Sequence, residues 1–412
     1  MKKKILFMLI NMNIGGTEKS LLNLLEVLPR KDFEITVLLL EEKGGFIDDL
    51  PNDINKIILE GFEDIKPIIN QSPKERLLFL LKEKAYFKAF SFIFRHLYVK
   101  LSGNKNVFFN ALLKNQREDP TYYDYAVAYA GPMELISYYI AHKVKAAHKL
   151  QWIHFDVEKI GFDTRFAGEL YQHYSKLCIV SEEAKAKLSD KLPQLQERMT
   201  VQRNVISKKT LHRLAANGET MLESESGVTT IVTVGRLMTE KGQDLAVKAM
   251  KTLKEDGFEI KWYCLGDGNW RPPLEKLIAD YGLEKEFILL GNIKNPFPFI
   301  KRADIYVQPS RHEGYCMTLA EARYLERPIV TTDFTGAREQ IIDGKTGLIV
   351  PVDHKALYKG IKRLIVDPQL RDAFVLNLKK EQPDHSQVDG LFYSKKSRIG
   401  PEGEDLVEAD AL

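Results

Sequence analysis

Cysteine is scarce in this chain: 412 residues carry three, Cys178, Cys264 and Cys316. They are widely spaced, and each lies in or beside an apolar run. That is no disulfide framework, and it suits a reducing compartment. Long apolar runs are missing too, since nothing approaches the roughly 18 apolar residues that span a bilayer. The opening Met1-Lys-Lys-Lys-Ile-Leu-Phe-Met-Leu-Ile10 starts like a signal peptide. Its apolar core is only six residues, however, and no small-residue cleavage site follows. It reads as a first buried strand, so the chain is expected in the cytoplasm, touching membranes at their surface only. Charge of one sign is also lacking: 60 Lys and Arg against 57 Asp and Glu leave +3, too little to argue for nucleic acid. No low-complexity tract dominates. A 44% hydrophobic fraction is ample for the cores of two or three domains.

What is present alternates. After the strand at 3–10 comes Asn11-Met-Asn-Ile-Gly-Gly-Thr-Glu18, then helical spacing at Leu21, Leu24, Leu25 and Leu28. Further strands are expected at 37–40, 57–59, 125–129, 149–154, 177–181 and 200–204, with a helix at 133–141. Such alternation implies an α/β fold, a parallel sheet covered by helices on both faces. The first loop lacks G-x-G-x-x-G, which weakens a dinucleotide-oxidoreductase reading. Its Gly15-Gly16 pair is either a plain tight turn or a place where backbone approaches a sugar or phosphate closely. His154 falls at a strand's carboxyl end, where open α/β sheets bind ligands. Residues 206–228 turn polar and read as a linker. A second α/β unit is expected over 229–380, with strands at 229–234, 259–265, 287–290, 304–308 and 328–332. Its helix after Arg236 should run from about 241 to 254, and paired terminal helices should occupy 355–380.

The stretch Ser310-Arg-His-Glu-Gly-Tyr-Cys-Met-Thr-Leu-Ala-Glu321 organises this second unit. It follows a strand, contains Gly314, and opens a helix near Met317 that Arg327-Pro328 should stop. A helix start aims free N–H groups and a partial positive charge at the loop, which suits an anion such as a diphosphate. The Gly314, Tyr315 and Cys316 amides are candidates for that contact, and Thr318 would add a hydroxyl. Glu313 would sit beside the anion. Glu321, about one turn into the helix, would accept hydrogen bonds from a diol such as ribose. Two glutamates alone are more often solvated surface charges. Arg236 and Lys241, five apart around a turn, would clamp a diphosphate, arginine by its fork and lysine as a point charge. Taken singly, each is more often a surface cation.

The Glu313–Glu321 spacing resembles the E-x7-E signature of the family 4 retaining glycosyltransferases, which have the GT-B fold of two Rossmann-like domains facing a cleft. Asn295-Pro-Phe-Pro-Phe-Ile-Lys-Arg-Ala-Asp304, Val307-Gln-Pro-Ser310, Gly235-Arg-Leu237, Glu240-Lys-Gly242 and Gly336 to Pro351 are similar too, collinearly over roughly residues 229–370. The resemblance implies transfer of a sugar from a nucleotide-diphosphate sugar, expected to be a UDP-sugar, to a saccharide in cell-surface polysaccharide assembly. It implies that Arg236 and Lys241 neutralise the leaving diphosphate and that Glu313 contacts the sugar. Glu321 would bind the ribose, Asn292 would lie where the base is accepted, and His154 would reach the donor sugar. Gly15 and Gly16 would face the cleft from an acceptor-side domain, residues 1–205. No cofactor or metal is expected: the nucleotide-sugar is a co-substrate, and no D-x-D stands in a suitable context. The chain departs from the commonest motif at Cys316, where glycine or proline is frequent, and at Met317. Residues 381–412 would hold a short segment returning to the first domain, at 386–394, and an acidic, disordered tail. Two other classes share this cleft: a GT-B-like sugar-nucleotide epimerase, for which no second acid/base pair is evident, and a non-catalytic nucleotide-sugar or membrane-binding module.

One segment breaks the rhythm. Residues 72–117 hold ten cations (Lys74, Arg76, Lys82, Lys84, Lys88, Arg95, Lys100, Lys105, Lys114 and Arg117) against Glu75 and Glu83, a net of +8. Aromatic residues are interleaved throughout. Such a composition fits an interfacial helix on an anionic membrane, which would bring the cleft to a lipid-linked acceptor. It also fits a helix pair packed on its own domain with a solvated basic face.

Overall fold

A computed structural model describes residues 2–70, 73–102, 104–116, 118–131, 133–158, 161–218, 222, 227–381 and 391–392. Its strands are β1 (Lys3–Leu9), β2 (Phe33–Leu39), β3 (Asn55–Ile58), β4 (Tyr122–Ala128), β5 (Lys145–Ile153), β6 (Lys176–Ile179), β7 (Met199–Val201), β8 (Thr229–Val234), β9 (Ile260–Leu265), β10 (Phe287–Gly291), β11 (Ile305–Gln308), β12 (Ile329–Thr332) and β13 (Leu348–Val350). The helices of the first half are α1 (Gly16–Val27), α2 (Phe62–Asn70), α3 (Pro73–Lys82), α4 (Tyr86–Ser102), α5 (Asn106–Leu112), α6 (Glu134–Lys143), α7 (Thr164–Leu170), α8 (Glu182–Lys191) and α9 (Lys208–Asn217). Those of the second half are α10 (Gln243–Glu255), α11 (Arg271–Asp280), α12 (Phe297–Arg302), α13 (Met317–Tyr324), α14 (Ala337–Gln340), α15 (His354–Val366) and α16 (Pro368–Lys379).

The strands form two sheets, ordered β3-β2-β1-β4-β5-β6-β7 and β10-β9-β8-β11-β12-β13, with every ladder parallel. Parallel strands covered on both faces should be almost wholly apolar. Accordingly the last five residues of β1 and all four of β11 are buried. Strand order reverses between β1 and β4 in one sheet and between β8 and β11 in the other, and ligands bind beyond the carboxyl ends at such switch points. The loops there carry Gly15-Gly16, Arg236 and Glu313.

Three apolar clusters hold the layers together. One lies on the outer face of the first sheet and one on the outer face of the second. The third runs through both halves, joining Leu21 and Leu25 of α1 to Tyr315, Met317 and Leu319 around the start of α13.

Two expectations change. The polar stretch read as a linker contains α9, capped by Ser207, whose Oγ accepts from the Thr210 amide. Leu211 is buried, and the Asn295 side chain donates to the Leu214 carbonyl, so α9 packs against the second unit. The helix expected from Lys241 instead starts at Gln243, after a single 3-10 turn, Thr239–Lys241. Gly242 separates them at φ +68, where a Cβ would lie 2.0 Å from the Pro309 carbonyl oxygen. Only glycine fits that approach.

Most of the expected return segment, and the tail from Lys395, lie outside the described residues. Leu391 and Phe392 lie within them and are buried against the first domain. The Phe392 ring meets Phe7, Phe33 and Tyr125 edge-on, at centroid distances of 6.2, 6.1 and 5.3 Å. Its carbonyl accepts from Tyr125 Oη and Lys3 Nζ. Emptying this socket by Phe392→Ala should cost about 3–5 kcal/mol. Urea unfolding checks this, with the exposed Val366→Ala as a variant expected to be nearly silent.

Candidate functional site

The second domain's half of the site is built on β11 and the loop beyond it. Three buried polar side chains stand in line there and end on the half-buried Glu313. Tyr306 Oη donates to Gln308 Oε1 at 2.7 Å, and Gln308 Nε2 to Ser310 Oγ at 2.8 Å. Ser310 Oγ in turn donates to Glu313 Oε1 at 2.7 Å. Lys241 Nζ reaches both oxygens of the same carboxylate, at 2.8 and 2.7 Å. Arg311 fixes the loop from outside by a two-pronged contact with Asp244, 2.7 Å on each arm. Burial pulls the Lys241 pKa down, but the Glu313 carboxylate pushes it up and prevails, leaving it raised. A lysine fixed in the charged state beside a carboxylate is suited to a second anion.

Cys316 lies at φ +62 at the start of α13, a conformation in which a side chain is strained. A glycine would adopt this conformation without strain. The thiol is buried, and burial pushes its pKa well above the usual range, so it is a packing group. Thr318 departs from expectation: its hydroxyl donates to Gln308 Oε1 at 3.1 Å and serves the polar line under Glu313. The Tyr315 ring is buried, and its carbonyl accepts from Gln340 Nε2.

Glu321 is fully buried in α13. Burial raises its pKa, opposed by Lys19 of α1, whose Nζ lies 2.7 Å from Glu321 Oε1. Glu321 Oε2 has no hydrogen-bond partner among the described residues. Sequence reasoning missed Lys19. It stands three residues after the glycine pair, but nothing in the chain's order tells that it crosses to the other domain. Gly16 lies beside it, where a Cβ would come within 3.9 Å of Met317 Cγ.

The first domain closes on the same loop. A Cβ on Gly314 would sit 1.8 Å from the His154 carbonyl oxygen, so glycine permits this approach. His154 is buried, with its ring edge-on to Tyr129 at 4.8 Å and Nε2 unpartnered among the described residues. Burial lowers its pKa to about 3, against a weaker raising effect of a hydrogen bond to the Tyr129 main chain. The imidazole is therefore neutral and offers an unmatched nitrogen at the edge of the cleft. A second cluster ties the domains nearby: Lys187 Nζ donates to Asp156 Oδ2 at 2.9 Å and to Thr335 Oγ1 at 2.6 Å, and the Gly336 amide donates to Glu183 Oε2.

Arg236 is exposed in the loop after β8. It acts electrostatically on both Lys241 and Glu18, a first-turn residue of α1 whose own pKa burial raises. The structure thus gathers Gly16, His154, Arg236, Lys241, Glu313, Gly314 and Glu321 about one interdomain cleft. Asn292 is exposed beyond β10.

Two parallel-sheet α/β domains facing such a cleft define the GT-B class. Residues 221–381 match the family model described as Glycosyl transferases group 1. Among its relatives is the alpha-D-kanosaminyltransferase of Streptomyces kanamyceticus, 33% identical over 150 residues, which are 36% of this chain and 39% of that protein. Another is the N-acetylgalactosamine-N,N'-diacetylbacillosaminyl-diphospho-undecaprenol 4-alpha-N-acetylgalactosaminyltransferase of Campylobacter jejuni. It is 34% identical over 146 residues, 35% of this chain and 39% of that protein. The matches thus span about two fifths of these curated relatives. In fold the whole chain is similar to Anabaena Alr3699/HepE, solved in complex with UDP and glucose. There the TM-score is 0.64 at 17% identity, covering 92% of this chain and 94% of that one.

The buried neutral histidine gives a pH test. Its folded pKa lies below the ordinary 6.5. Between those values the unfolded chain therefore binds a proton that the folded chain does not. Its stabilising effect is complete above pH 6.5 and falls away as pH drops towards 3, by up to about 1.4 kcal/mol per pH unit. His142, lowered to about 4 by burial, contributes equally in both proteins and cancels in the comparison. Urea unfolding from pH 7 to pH 5 should show a shallower slope in His154→Gln than in the parent. Equal slopes would contradict a neutral, buried His154.

Proposed function

We propose that the chain is a retaining, metal-independent glycosyltransferase. It moves a sugar from a UDP-sugar to a saccharide on a lipid carrier, in cell-surface polysaccharide assembly. The observation that carries the reading is the Lys241–Glu313 pair at the second sheet's switch point, flanked by Arg236 and the α13 start and faced by His154. The structural relative holding UDP and glucose supports the donor class. The Campylobacter relative, named for a diphospho-undecaprenol substrate, supports the acceptor class. So does the capsular polysaccharide glycosyltransferase CapM of Staphylococcus aureus, for the pathway class.

Breaking a sugar–diphosphate bond builds negative charge on the leaving oxygen, so fixed positive groups there stabilise the transition state most. Lys241 and Arg236 supply them, and the α13 amides add the helix-start field. This cationic pair does the work a divalent ion would do, so activity should persist in EDTA. Glu313, held by Ser310 and Lys241, would meet the sugar hydroxyls, and His154 Nε2 would accept from the sugar across the cleft. Glu321 would bind the ribose through Oε2, with Lys19 holding its other oxygen.

This division of labour separates the two glutamates. Glu321→Gln should weaken binding of free UDP by roughly tenfold, about 1.4 kcal/mol, because ribose contacts act in the ground state. Glu313→Gln should leave UDP binding near that of the parent and lower turnover by about 10²–10³. Calorimetric UDP titration beside UDP-release kinetics, both in EDTA, distinguishes them. Equal effects on UDP affinity, or activity only with Mg²⁺ or Mn²⁺, would contradict the reading.

A further inference from the structure

A cavity of about 1250 Å³ lies outside the cleft, in the first domain. It exceeds the roughly 300–1,000 Å³ of ordinary small-molecule sites. The β2–β3 edge of the first sheet forms its floor, and α2 to α5 wrap around it. Ile57, Ile65, Leu80, Phe92, Phe108 and Leu112 line it. Its lining runs from Leu59–Gly61, just past the carboxyl end of β3, to Glu118–Pro120, just before β4. One end therefore lies on the side of the sheet from which the cleft loops rise.

Two observations bear on what fills it. Its charged boundary residues are Glu60, Asp64, Glu118 and Asp119 against Arg76 and Lys114, a surplus of acids. An anionic sugar or nucleotide is therefore the wrong occupant, while a neutral hydrocarbon fits only along the apolar wall, clear of these rim charges, which must keep their water. Secondly, the helices over the cavity present an apolar face to solvent. Of the 17 exposed large apolar side chains among the described residues, nine lie between Leu78 and Leu97. A cluster of that size marks an interaction surface rather than scattered surface apolar residues. Phe87 belongs to both, being 85% exposed and on the cavity's boundary. The same segment carries the +8 surplus, which would favour an anionic leaflet.

We propose that this cavity seats the hydrocarbon chain of the lipid carrier that presents the acceptor saccharide. The inference rests on the lipid-linked-acceptor reading above. The α3–α4 face meets the bilayer, and the chain passes by Phe87 into the apolar space along β3. Its phosphate end stays outside the acidic rim, towards the cleft. Each methylene moved from water into the cavity adds to the retention, so a few isoprene units suffice for selective seating.

The test uses the full-length protein on anionic vesicles holding a trace of long-chain isoprenyl phosphate with a diazirine on its terminal unit. Photolysis should label peptides containing residues 57–68 and 108–116. Ala111→Trp and Ile68→Trp, each filling the cavity from a half-buried wall position, should cut labelling by roughly fivefold or more, about 1 kcal/mol. Vesicle co-sedimentation, thermal melting and sugar transfer to a short-chain acceptor should be unchanged. Labels confined to the Phe90 and Phe94 face would overturn the proposal, as would undiminished labelling in both folded variants. Equal labelling of the cavity by a diazirine-tagged phospholipid would overturn it too. Cavity labelling without transfer to any lipid-linked saccharide supports the cavity and sinks instead the reading on which it rests.

Discussion

The site depends on keeping two opposite charges, Lys241 and Glu313, together in a half-buried position on the second domain's side of the cleft. Taking either charge out of water alone would be costly, so each is balanced by the other. The surroundings bear on this: Ser310, Gln308 and Tyr306 form a buried hydrogen-bonded line behind the carboxylate. Arg311 and Asp244 clamp the loop in front. Fixed polar groups of this kind are what a reaction with developing charge requires, because they need not reorganise as it proceeds. Glu321 has no such line behind it. Its balancing charge comes from Lys19 of the other domain, so the Glu321 carboxylate depends on how the domains meet.

That dependence extends across the interface. Gly314 is a glycine because the His154 backbone comes against it, and Gly16 lies beside Met317. The apolar cluster through α1 and α13, together with the Lys187–Asp156–Thr335 contacts, holds these approaches. A motif confined to the second domain in sequence is thus completed by the first domain in space. Family resemblance over residues 221–381 cannot convey that half.

Much of the fold was legible in the sequence, for a physical reason. Strands buried on both faces must be short, continuous apolar runs, and Lys3–Leu9 and Ile305–Gln308 read that way at once. The helix α9 was not legible, because it is polar on most sides and buries little beyond Leu211. The start of α10 was misplaced because Gly242 breaks the chain to pass Pro309, a tertiary reason with no local sign beyond the glycine itself. Of the site, Glu313, Lys241, Gly314 and His154 come together as their spacing and strand-end positions suggest. Thr318 turns inward to Gln308, and Cys316 is a buried thiol at a strained helix start. Lys19 and the polar line from Tyr306 to Ser310 were invisible. Each acts through a partner that only the folded chain places beside it.

The central claim is that this cleft transfers a sugar with its anomeric configuration kept. The most direct measurement is proton NMR of the anomeric centre in product formed from an α-linked UDP-sugar and a lipid-linked or short-chain saccharide acceptor, with Lys241→Ala in parallel. The account predicts an α-linked product from the parent protein and a loss of about 10²–10³ in its rate of formation from the variant. A β-linked product, or a variant as fast as the parent, would contradict it.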